Sequence, residues 1–268
     1  MTNDAPKTAP TAVEAYEPLT GRWSRLIAPQ FVEWLDVPSG GRWLDVGCGT
    51  GALIQAILDT QRPSEIVGID PNSSFIAYAR RQITDPRVRY EVGDARELPV
   101  PSRQYDAVVA GLVLNHIDPP SLPRAIAEMS RPARRGGVVG AYVWNYASGM
   151  GPRVKFWEEA TALDPGAVAR DERTLYPLCE PRALERMFGR AGFGAVETRS
   201  FATDARFSSF DDFWRPFLDG AGVASRYLLA LAPDRQVALR ERLRQSLPTA
   251  QNGEISLSIE AWGVQGVT

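Results

Sequence analysis

The sequence predicts a doubly wound α/β fold, in which helices connect the strands of one mostly parallel sheet. Two observations support this prediction. Between residues 42 and 143, short apolar runs alternate with segments whose apolar residues recur at helical spacing, which is the pattern of repeated βαβ units. Near the C-terminus, residues 255–261 alternate apolar and polar side chains, as a strand with one buried face does.

The predicted strands follow one another in the order that such a sheet requires. Their ranges are 42–46, 66–69, 88–92, 107–110, 138–143, 196–201 and 255–261. A helical excursion separates the last two strands, so we expect the seventh strand to pair antiparallel with the sixth. The predicted architecture is therefore a Rossmann-like, doubly wound, seven-stranded sheet with the last strand antiparallel and with helical lid insertions.

The remaining segments are predicted to surround this sheet. Residues 1–12 are rich in Ala, Pro and Thr and are expected to form a disordered tail. Residues 13–268 then form one domain, which the chain length of 268 residues allows. Within it, residues 13–38 form an N-terminal cap, and the helical, aromatic-rich segments 146–180 and 208–247 form a substrate lid.

Composition argues against several classes of partner. The net charge is −2 and no basic stripe is present, so we expect no nucleic acid. Apolar stretches fall short of the roughly 18 residues that a membrane span needs, so we expect no membrane. Two cysteines and one histidine give no metal-ligand spacing, which predicts no metal and a reducing, cytoplasmic compartment. The oligomeric state stays open.

The strongest motif is Leu44–Gly51 (LDVGCGTG), which follows the first strand and precedes a helix. Glycines at this point let the backbone approach a ligand, and we expect the loop to point free N–H groups at it. The same stretch fits the dinucleotide pattern G-x-G-x-x-G/A, so this motif alone does not choose between nucleotide cofactors.

Three acidic residues stand at the ends of successive strands. Asp70 ends the second strand and can accept hydrogen bonds from a ribose diol. Asp94 ends the third strand and, with the Ala95 backbone beside it, suits the exocyclic amine of an adenine. Asp45 precedes the glycines, where it would repel a pyrophosphate and attract a cation. Three acids without a nearby base therefore favour a cationic cofactor over a dinucleotide.

These residues resemble those of the class I S-adenosylmethionine (SAM)-dependent methyltransferases, in particular the small-molecule subgroup called methyltransferase type 11. The resemblance covers Trp43 to Gly137 through five segments in order: LDVGCGTG at 44–51, GIDPN at 68–72, VGDARELP at 92–99, YDAVVAGLVLNHIDPP at 105–120 and MSRPARRGG at 129–137. It implies SAM as cofactor and S-adenosylhomocysteine (SAH) as product. The predicted cofactor-binding residues here are Asp45, Gly47, Cys48, Gly49, Asp70, Pro71, Asp94, Ala95, Gly111 and Leu112.

Two positions qualify this resemblance. Gly111 stands where many relatives have a serine or another small residue, so no side-chain contact is expected there. The segment from Tyr16 to Trp34 resembles a short helix that some members fold over SAM, in which Tyr16 or Arg25 would reach the cofactor carboxylate. The alternative is a surface helix that packs Trp23 and its apolar neighbours against the sheet.

His116 is the candidate general base. It is the only histidine, it lies just past the fourth strand near the expected methyl group, and its ordinary pKa is about 6.5. A packing role or a place in a pocket wall is the alternative. The aromatic lid suits a small hydrophobic or aromatic metabolite, which we expect to be methylated on oxygen or carbon. The candidate pocket residues are Trp23, Tyr146, Trp157, Tyr176, Trp214 and Phe217.

Other functions stay open at this point. An NAD(P)-dependent oxidoreductase would fit the glycine loop, although the sequence contains no Tyr-x-x-x-Lys pair and no cysteine–histidine metal set. A non-catalytic SAM-binding protein would keep the same cofactor residues. A nucleic-acid methyltransferase shares this fold, but the Asn/Asp-Pro-Pro-Tyr/Phe motif is missing after the fourth strand.

Overall fold

A computed structural model describes residues 12–176, 179–219 and 222–268. Its core is one sheet of seven strands: β1 (Arg42–Val46), β2 (Glu65–Asp70), β3 (Val88–Val92), β4 (Tyr105–Gly111), β5 (Ala133–Trp144), β6 (Gly194–Phe207) and β7 (Ile255–Val267). The strand order is β3-β2-β1-β4-β5-β7-β6. Strands β1 to β5 are parallel, and β7 runs antiparallel to both β5 and β6. The predicted topology, with the last strand antiparallel, is confirmed.

Strands β6 and β7 are longer than the sequence pattern predicts. They have 14 and 13 residues, and their ladder continues until Phe207 pairs with Ile255. Each strand satisfies the backbone hydrogen bonds of the other, so the pair extends beyond its neighbours in the sheet. The extension carries the chain outward to the helices inserted between these two strands.

The described helices connect these strands or lie over them. They are α1 (Ala12–Tyr16), α2 (Arg22–Trp34), α3 (Ala52–Thr60), α4 (Ser73–Gln82), α5 (Leu122–Ser130), α6 (Gly151–Leu163), α7 (Glu172–Leu175), α8 (Pro181–Arg190), α9 (Phe210–Trp214), α10 (Gly222–Ala230) and α11 (Pro233–Ser246). A π-helical turn, Glu17–Gly21, joins α1 to α2. Helix α4 begins where the Asn72 side chain accepts the N–H of Ser74, the usual chemistry of an N-cap.

The core lies around the central strands. Strands β1 and β4 carry almost continuous apolar side chains that are fully buried, as expected of parallel strands covered on both faces. Helix α2 places Ile27 and Phe31 against this sheet, and the Phe31 ring lies 5.0 Å from that of Tyr142 and 6.1 Å from that of Phe201. The N-terminal segment is therefore anchored by its apolar face.

Two helical insertions lie at one end of the sheet. The first, α6 and α7, follows β5, and the second, α9 to α11, follows β6, whereas α8 packs along β6 and β7. The two insertions pack on each other: the rings of Phe156 and Phe217 stack 4.8 Å apart, and Arg242 Nε donates to Glu159 Oε2 at 2.9 Å. These helices occupy the predicted lid segments, whose bounds stay a prediction. The predicted tail, apart from residue 12, lies outside the described residues.

Within residues 12–176, 179–219 and 222–268, no helix is long and apolar enough to cross a lipid bilayer.

Candidate cofactor and acceptor site

The candidate site lies where the order of the strands in the sheet reverses, between β1 and β4. Strands β2 and β3 lie on one side of β1, and β4 and β5 lie on the other, so a crevice forms at the carboxyl ends of β1 and β4. Ligands of open α/β sheets bind at such a switch point. The glycine loop after β1 and the segment after β4 meet there.

Three residues of the glycine loop adopt backbone conformations that residues with a side chain rarely adopt. Gly47, Gly49 and Gly51 have φ values of +73°, +52° and +91°. A Cβ on Gly47 would also overlap a methyl group of Val113, from the segment after β4. Glycine is therefore required here by backbone conformation and by close packing together.

The amides of this loop are satisfied within the protein. Gly47 and Cys48 both donate to the carbonyl of Ile69, at 2.7 and 2.9 Å, and Gly51 donates to the carbonyl of Cys48 at 2.9 Å. Gly49 donates to the carboxylate of Asp70 at 2.9 Å. The expectation that these four amides are free is wrong, because the tight turn folds them back on the β2 end. A pyrophosphate-binding loop needs free amides instead.

Asp70 is the carboxylate that fixes the loop. Its Oδ2 accepts the N–H of Gly49 at 2.9 Å, and its Oδ1 accepts the N–H of Asn72 at 2.8 Å. The side chain is buried, and desolvation raises its pKa while these two amides lower it. Each carboxylate oxygen retains a lone pair, so the group can still accept from a hydroxyl.

Asp45 is fully buried, and neither of its oxygens has a hydrogen-bond partner among the described residues. Desolvation and the neighbouring Asp70 raise its pKa well above the usual value. The Oγ1 of Thr50 in the same loop is likewise buried without a partner among these residues. Unpaired buried polar atoms are rare and call for a ligand or another specific explanation.

Asp94 is paired with a basic residue, Arg96. Arg96 donates to it through its own backbone N–H at 2.8 Å, through Nε at 2.8 Å and through Nη2 at 2.6 Å. This pairing lowers the pKa of Asp94 to about 2. Arg96 also lies 3.7 Å from Asp118. The expectation that no base lies near the three acids is therefore wrong, and the preference for a cationic cofactor depends on Asp45 and Asp70.

The segment after β4 is strained and closely packed. Leu112 has a φ of +61°, which is unusual for a non-glycine residue, and its N–H donates to the Tyr142 carbonyl at 2.8 Å. A Cβ on Gly111 would lie 2.8 Å from the Tyr142 ring, whose hydroxyl is 2.8 Å from Ser24 Oγ. A glycine stands at position 111 because Tyr142 fills the space that a serine would need.

Two cavities adjoin at this edge of the sheet. One, of about 390 Å³, is lined by Gly47, Pro71, Asp94, Ala95, Arg96, Val113, His116, Ile117 and Asp118, and we call it the cofactor crevice. The other, of about 480 Å³, is lined by Leu114, Asn115, His116, Ile117, Asp118, Pro119, Leu175, Tyr176 and Cys179, and we call it the acceptor cavity. His116, Ile117 and Asp118 belong to both linings. Cys48 instead packs its sulfur toward Gly68, inside the core.

His116 stands at the junction of the two cavities. Asn115 Nδ2 lies 3.4 Å from His116 Nε2, and the Oδ1 of Asn115 is buried without a partner within the described ranges. Desolvation lowers the pKa of the imidazole, whereas the Glu172 carboxylate raises it. The net effect favours the neutral ring, which can accept a proton.

The predicted aromatic pocket residues separate into two groups. Tyr176 lines the acceptor cavity, and Tyr146 stacks on it with ring centroids 4.8 Å apart. Trp157, Trp214 and Phe217 are buried among the lid helices and belong to neither lining described above.

The remaining candidates lie in the N-terminal segment. Trp23 packs edge-on against Phe207 at 5.2 Å. Tyr16 packs on Phe75 of α4 at 5.3 Å. Burial raises its pKa, and Asp70 and Asp45 lie near enough to raise it further. Arg25 instead forms an ion pair with Glu17 at 2.7 Å. The segment thus brings Tyr16 toward the glycine loop, and Arg25 is already paired.

Sequence reasoning missed four polar residues near these cavities. They are Arg96, Asn115, Arg153 and Glu172. Only Arg96 carried a signal, because an arginine two residues after an aspartate at a strand end can turn back to pair with it. Arg153 and Glu172 meet through the packing of α6 on α7, which no local pattern reveals.

Comparison with known proteins agrees with this geometry. Residues 44–137 match the family model described as a methyltransferase domain. An uncharacterized methyltransferase of Mycobacterium tuberculosis is 34% identical over 135 residues, covering 50% of this chain and 51% of that protein. A fatty-acid O-methyltransferase of Mycolicibacterium smegmatis is 35% identical over 98 residues, covering 37% of this chain and 35% of that protein. The chain thus spans about half the length of the first of these relatives, or less for the second.

A solved structure shows the same fold. Phosphoethanolamine N-methyltransferase 2 of Haemonchus contortus, in complex with S-adenosyl-L-methionine, superposes with a TM-score of 0.53 at 17% identity, covering 92% of this chain and 52% of that chain. The sheet order, the glycine loop and the family model agree. Residues 44–137 therefore match a methyltransferase domain, and the chain has the fold of the class I SAM-dependent methyltransferases.

Proposed function

We propose that this protein binds SAM in the cofactor crevice and transfers its methyl group to an oxygen or carbon of a small hydrophobic or aromatic metabolite in the acceptor cavity. One observation carries the proposal: the two cavities share a wall formed by His116, Ile117 and Asp118. A donor and an acceptor placed on the two sides of this wall would meet at its edge, as an in-line displacement needs.

The residues present fit SAM better than a dinucleotide. The buried, unpaired carboxylate of Asp45 suits a cation, and SAM carries an ammonium and a sulfonium. The amides of Gly47, Cys48, Gly49 and Gly51 are all used within the protein, so they offer no phosphate cradle. This argues against the NAD(P)-dependent oxidoreductase that the glycine motif alone allowed.

The residues that line the crevice, or lie beside it, then have distinct tasks. Asp70 would accept the ribose hydroxyls while it holds the glycine loop, and Asp94 with Ala95 would border the adenine. Tyr16 would close the methionine end from the N-terminal segment. When bound, SAM supplies a methyl group activated by its sulfonium. The protein orients the acceptor, excludes water and receives any proton that the acceptor loses.

His116 is the residue proposed to receive that proton. Its ring is kept neutral by desolvation and borders both cavities. The apolar walls of the acceptor cavity, among them Leu114, Leu175 and Tyr176, suit an apolar acceptor. The relative named for O-methylation of fatty acids supports an oxygen nucleophile on an apolar molecule.

Replacing His116 by Gln tests its role. Since a general base contributes about 100-fold or more, we expect kcat to fall by at least that factor. We expect the dissociation constant for SAH to change only a few-fold. In the wild type, kcat/KM should fall as the pH drops through the lowered pKa of His116, because protonation removes the base. An unchanged kcat would assign His116 to the cavity wall alone.

The single histidine allows this pKa to be measured directly. Only one imidazole signal should titrate in the NMR spectrum of the chain, apart from any purification tag, which must be removed. We expect its midpoint below the usual value of about 6.5 and coincident with the acid limb of the rate profile. A midpoint that differs from that limb would show that another group controls the rate.

Replacing Asp45 by Asn should change the stability of the protein and its affinity for SAM in opposite directions. The pKa of Asp45 is raised in the folded protein, so its ionisation costs stability as the pH rises above the unfolded value of about 3.9. We therefore expect Asp45→Asn to raise the Tm of the ligand-free protein, more in mildly alkaline buffer than at about pH 4. We also expect SAM affinity to fall about tenfold or more. Unchanged SAM affinity would remove Asp45 from the site.

Transfer itself is tested with methyl-labelled SAM and a panel of phenols, enols and carboxylic acids. We expect label to enter the organic phase for at least one apolar acceptor, and the signal to decline in the His116→Gln variant. Tight SAH binding without transfer to any class of acceptor would favour the non-catalytic SAM-binding protein.

A further inference from the structure

A buried ion pair lies in the lid beside the acceptor cavity. Arg153 of α6 and Glu172 of α7 have side-chain exposures of only 8% and 4%, and Arg153 Nη1 lies 3.8 Å from Glu172 Oε2. This separation is too long for a hydrogen bond. Glu172 Oε2 instead accepts the Nε1–H of Trp157 at 2.9 Å. The carboxylate is therefore fixed by a different donor.

Arg153 retains an unused donor. Its Nη1 is buried and has no hydrogen-bond partner in the part of the chain that the structure describes. The guanidinium also lies over the Phe217 ring, 5.7 Å from its centroid, which holds the group in place. A buried donor on a charged group is costly when unpaired, so it calls for an acceptor that the protein itself does not supply.

The pair lies within electrostatic reach of the acceptor cavity. Arg153 and Glu172 act in opposite directions on the pKa of both Tyr146 and Tyr176. Tyr176 lines the cavity, and Tyr146 stacks on it. Desolvation lowers the pKa of His116, which lines the same cavity, and Glu172 raises it. The pair is joined to the cavity lining through Glu172, because its backbone carbonyl accepts the N–H of Tyr176 at 3.0 Å.

The charge of the ion pair restricts which ligand groups can bind beside it. Glu172 already balances the positive charge of Arg153, so a carboxylate ligand would leave a net buried negative charge beside it. An uncharged oxygen accepts the free N–H without adding charge. A ketone, ester or amide carbonyl has both the lone pair and the neutrality that the site needs.

We propose that Arg153 Nη1 donates a hydrogen bond to an uncharged carbonyl oxygen of the acceptor, so that the substrates of this protein are apolar molecules bearing a carbonyl group. This inference rests on the proposed function, because it assigns the same cavity to the acceptor. It makes Arg153 a specificity-determining residue, with Glu172 as the residue that sets the charge of its surroundings.

The test compares three probes of one shape in calorimetric titrations with saturating SAH present: 2-acetylnaphthalene, 2-ethylnaphthalene and 2-naphthoate. The test variant combines Arg153→Met with Glu172→Gln. The double change leaves no unpaired buried charge, and the amide oxygen introduced by Glu172→Gln can still accept from Trp157. The control is Arg170→Met, which removes an exposed cation from the same lid segment. Circular dichroism and the Tm confirm that each variant is folded.

We expect the wild type and the Arg170→Met control to bind the acetyl probe about tenfold or more tightly than the ethyl probe, and the naphthoate no better than the ethyl probe. The double variant should bind the acetyl and ethyl probes equally. The infrared carbonyl band of bound 2-acetylnaphthalene should lie at lower wavenumber in the wild type and the control than in the double variant.

Other results would overturn the inference. Equal binding of acetyl and ethyl probes by the wild type would mean that Arg153 does not reach the ligand, and preference for the naphthoate would assign the site to anions. Failure of all three probes to bind would remove the apolar acceptor from this cavity. SAH binding is measured separately in the same samples, so its loss would count against the proposed function and not against Arg153.

Discussion

Asp70→Asn should weaken SAH binding by about 100-fold or more, measured by isothermal titration calorimetry. The carboxylate accepts two backbone N–H groups, from Gly49 and Asn72, and an amide cannot accept both without turning its NH₂ group toward one of them. Charge-assisted hydrogen bonds of this kind contribute about 1.5–3 kcal/mol each. The loop and the proposed ribose contact are therefore lost together.

The matched control for this variant is Asp59→Asn. Asp59 accepts a hydrogen bond from Gln55 on the exposed side of α3, so its replacement should leave SAH binding unchanged. If Asp70→Asn bound SAH as tightly as Asp59→Asn, Asp70 would be only a loop cap and the proposed ribose contact would be withdrawn.

Gly47→Ala should destabilise the protein by about 2–5 kcal/mol and abolish measurable SAH binding. Alanine at a φ of +73° is strained, and its Cβ would also overlap Val113. The backbone strain contributes about 1–2 kcal/mol, and overpacking typically adds about 1–3 kcal/mol. Urea denaturation measures the loss in the free energy of unfolding.

Gly40→Ala separates these two contributions. Gly40 has a φ of +84°, but a Cβ there would meet no atom within 4 Å. Its replacement should therefore show the backbone cost alone and leave SAH binding intact. Adding Val113→Ala to Gly47→Ala should recover part of the stability. Equal losses for Gly40→Ala and Gly47→Ala would show that the contact with Val113 is unimportant.

The fold could be predicted from the sequence to a large extent. Strands such as Arg42–Val46 and Val88–Val92 coincide with their predicted ranges, because short apolar runs that end at glycine loops or acids mark the strands of a parallel sheet. The lengths of β6 and β7 could not be predicted. Their outer halves are held by mutual pairing beyond the other strands, which leaves little trace in hydrophobic periodicity.

The candidate site was less predictable. The glycine loop and the acids at the strand ends carry local signals, and the structure brings Asp45 and Asp70 together with Gly47. Whether a loop amide is free depends on carbonyl groups of a different strand, such as that of Ile69. The sequence of the loop does not show where those carbonyl groups lie.

The aromatic residues of the lid illustrate the same limit. Tyr176 lines the acceptor cavity, whereas Trp157 is buried with its Nε1 bound to Glu172. Both belong to the same predicted lid segment, and only the packing of α6 against α7 distinguishes them. The buried charge of Arg153 is hidden from sequence reasoning for the same reason.

The most direct test of the central claim is a calorimetric titration of the wild-type protein with SAH and, separately, with NADH. We expect SAH binding in the micromolar range and no detectable binding of NADH, because the amides of the glycine loop are occupied within the protein. Tighter binding of NADH than of SAH, or no binding of SAH, would contradict this claim.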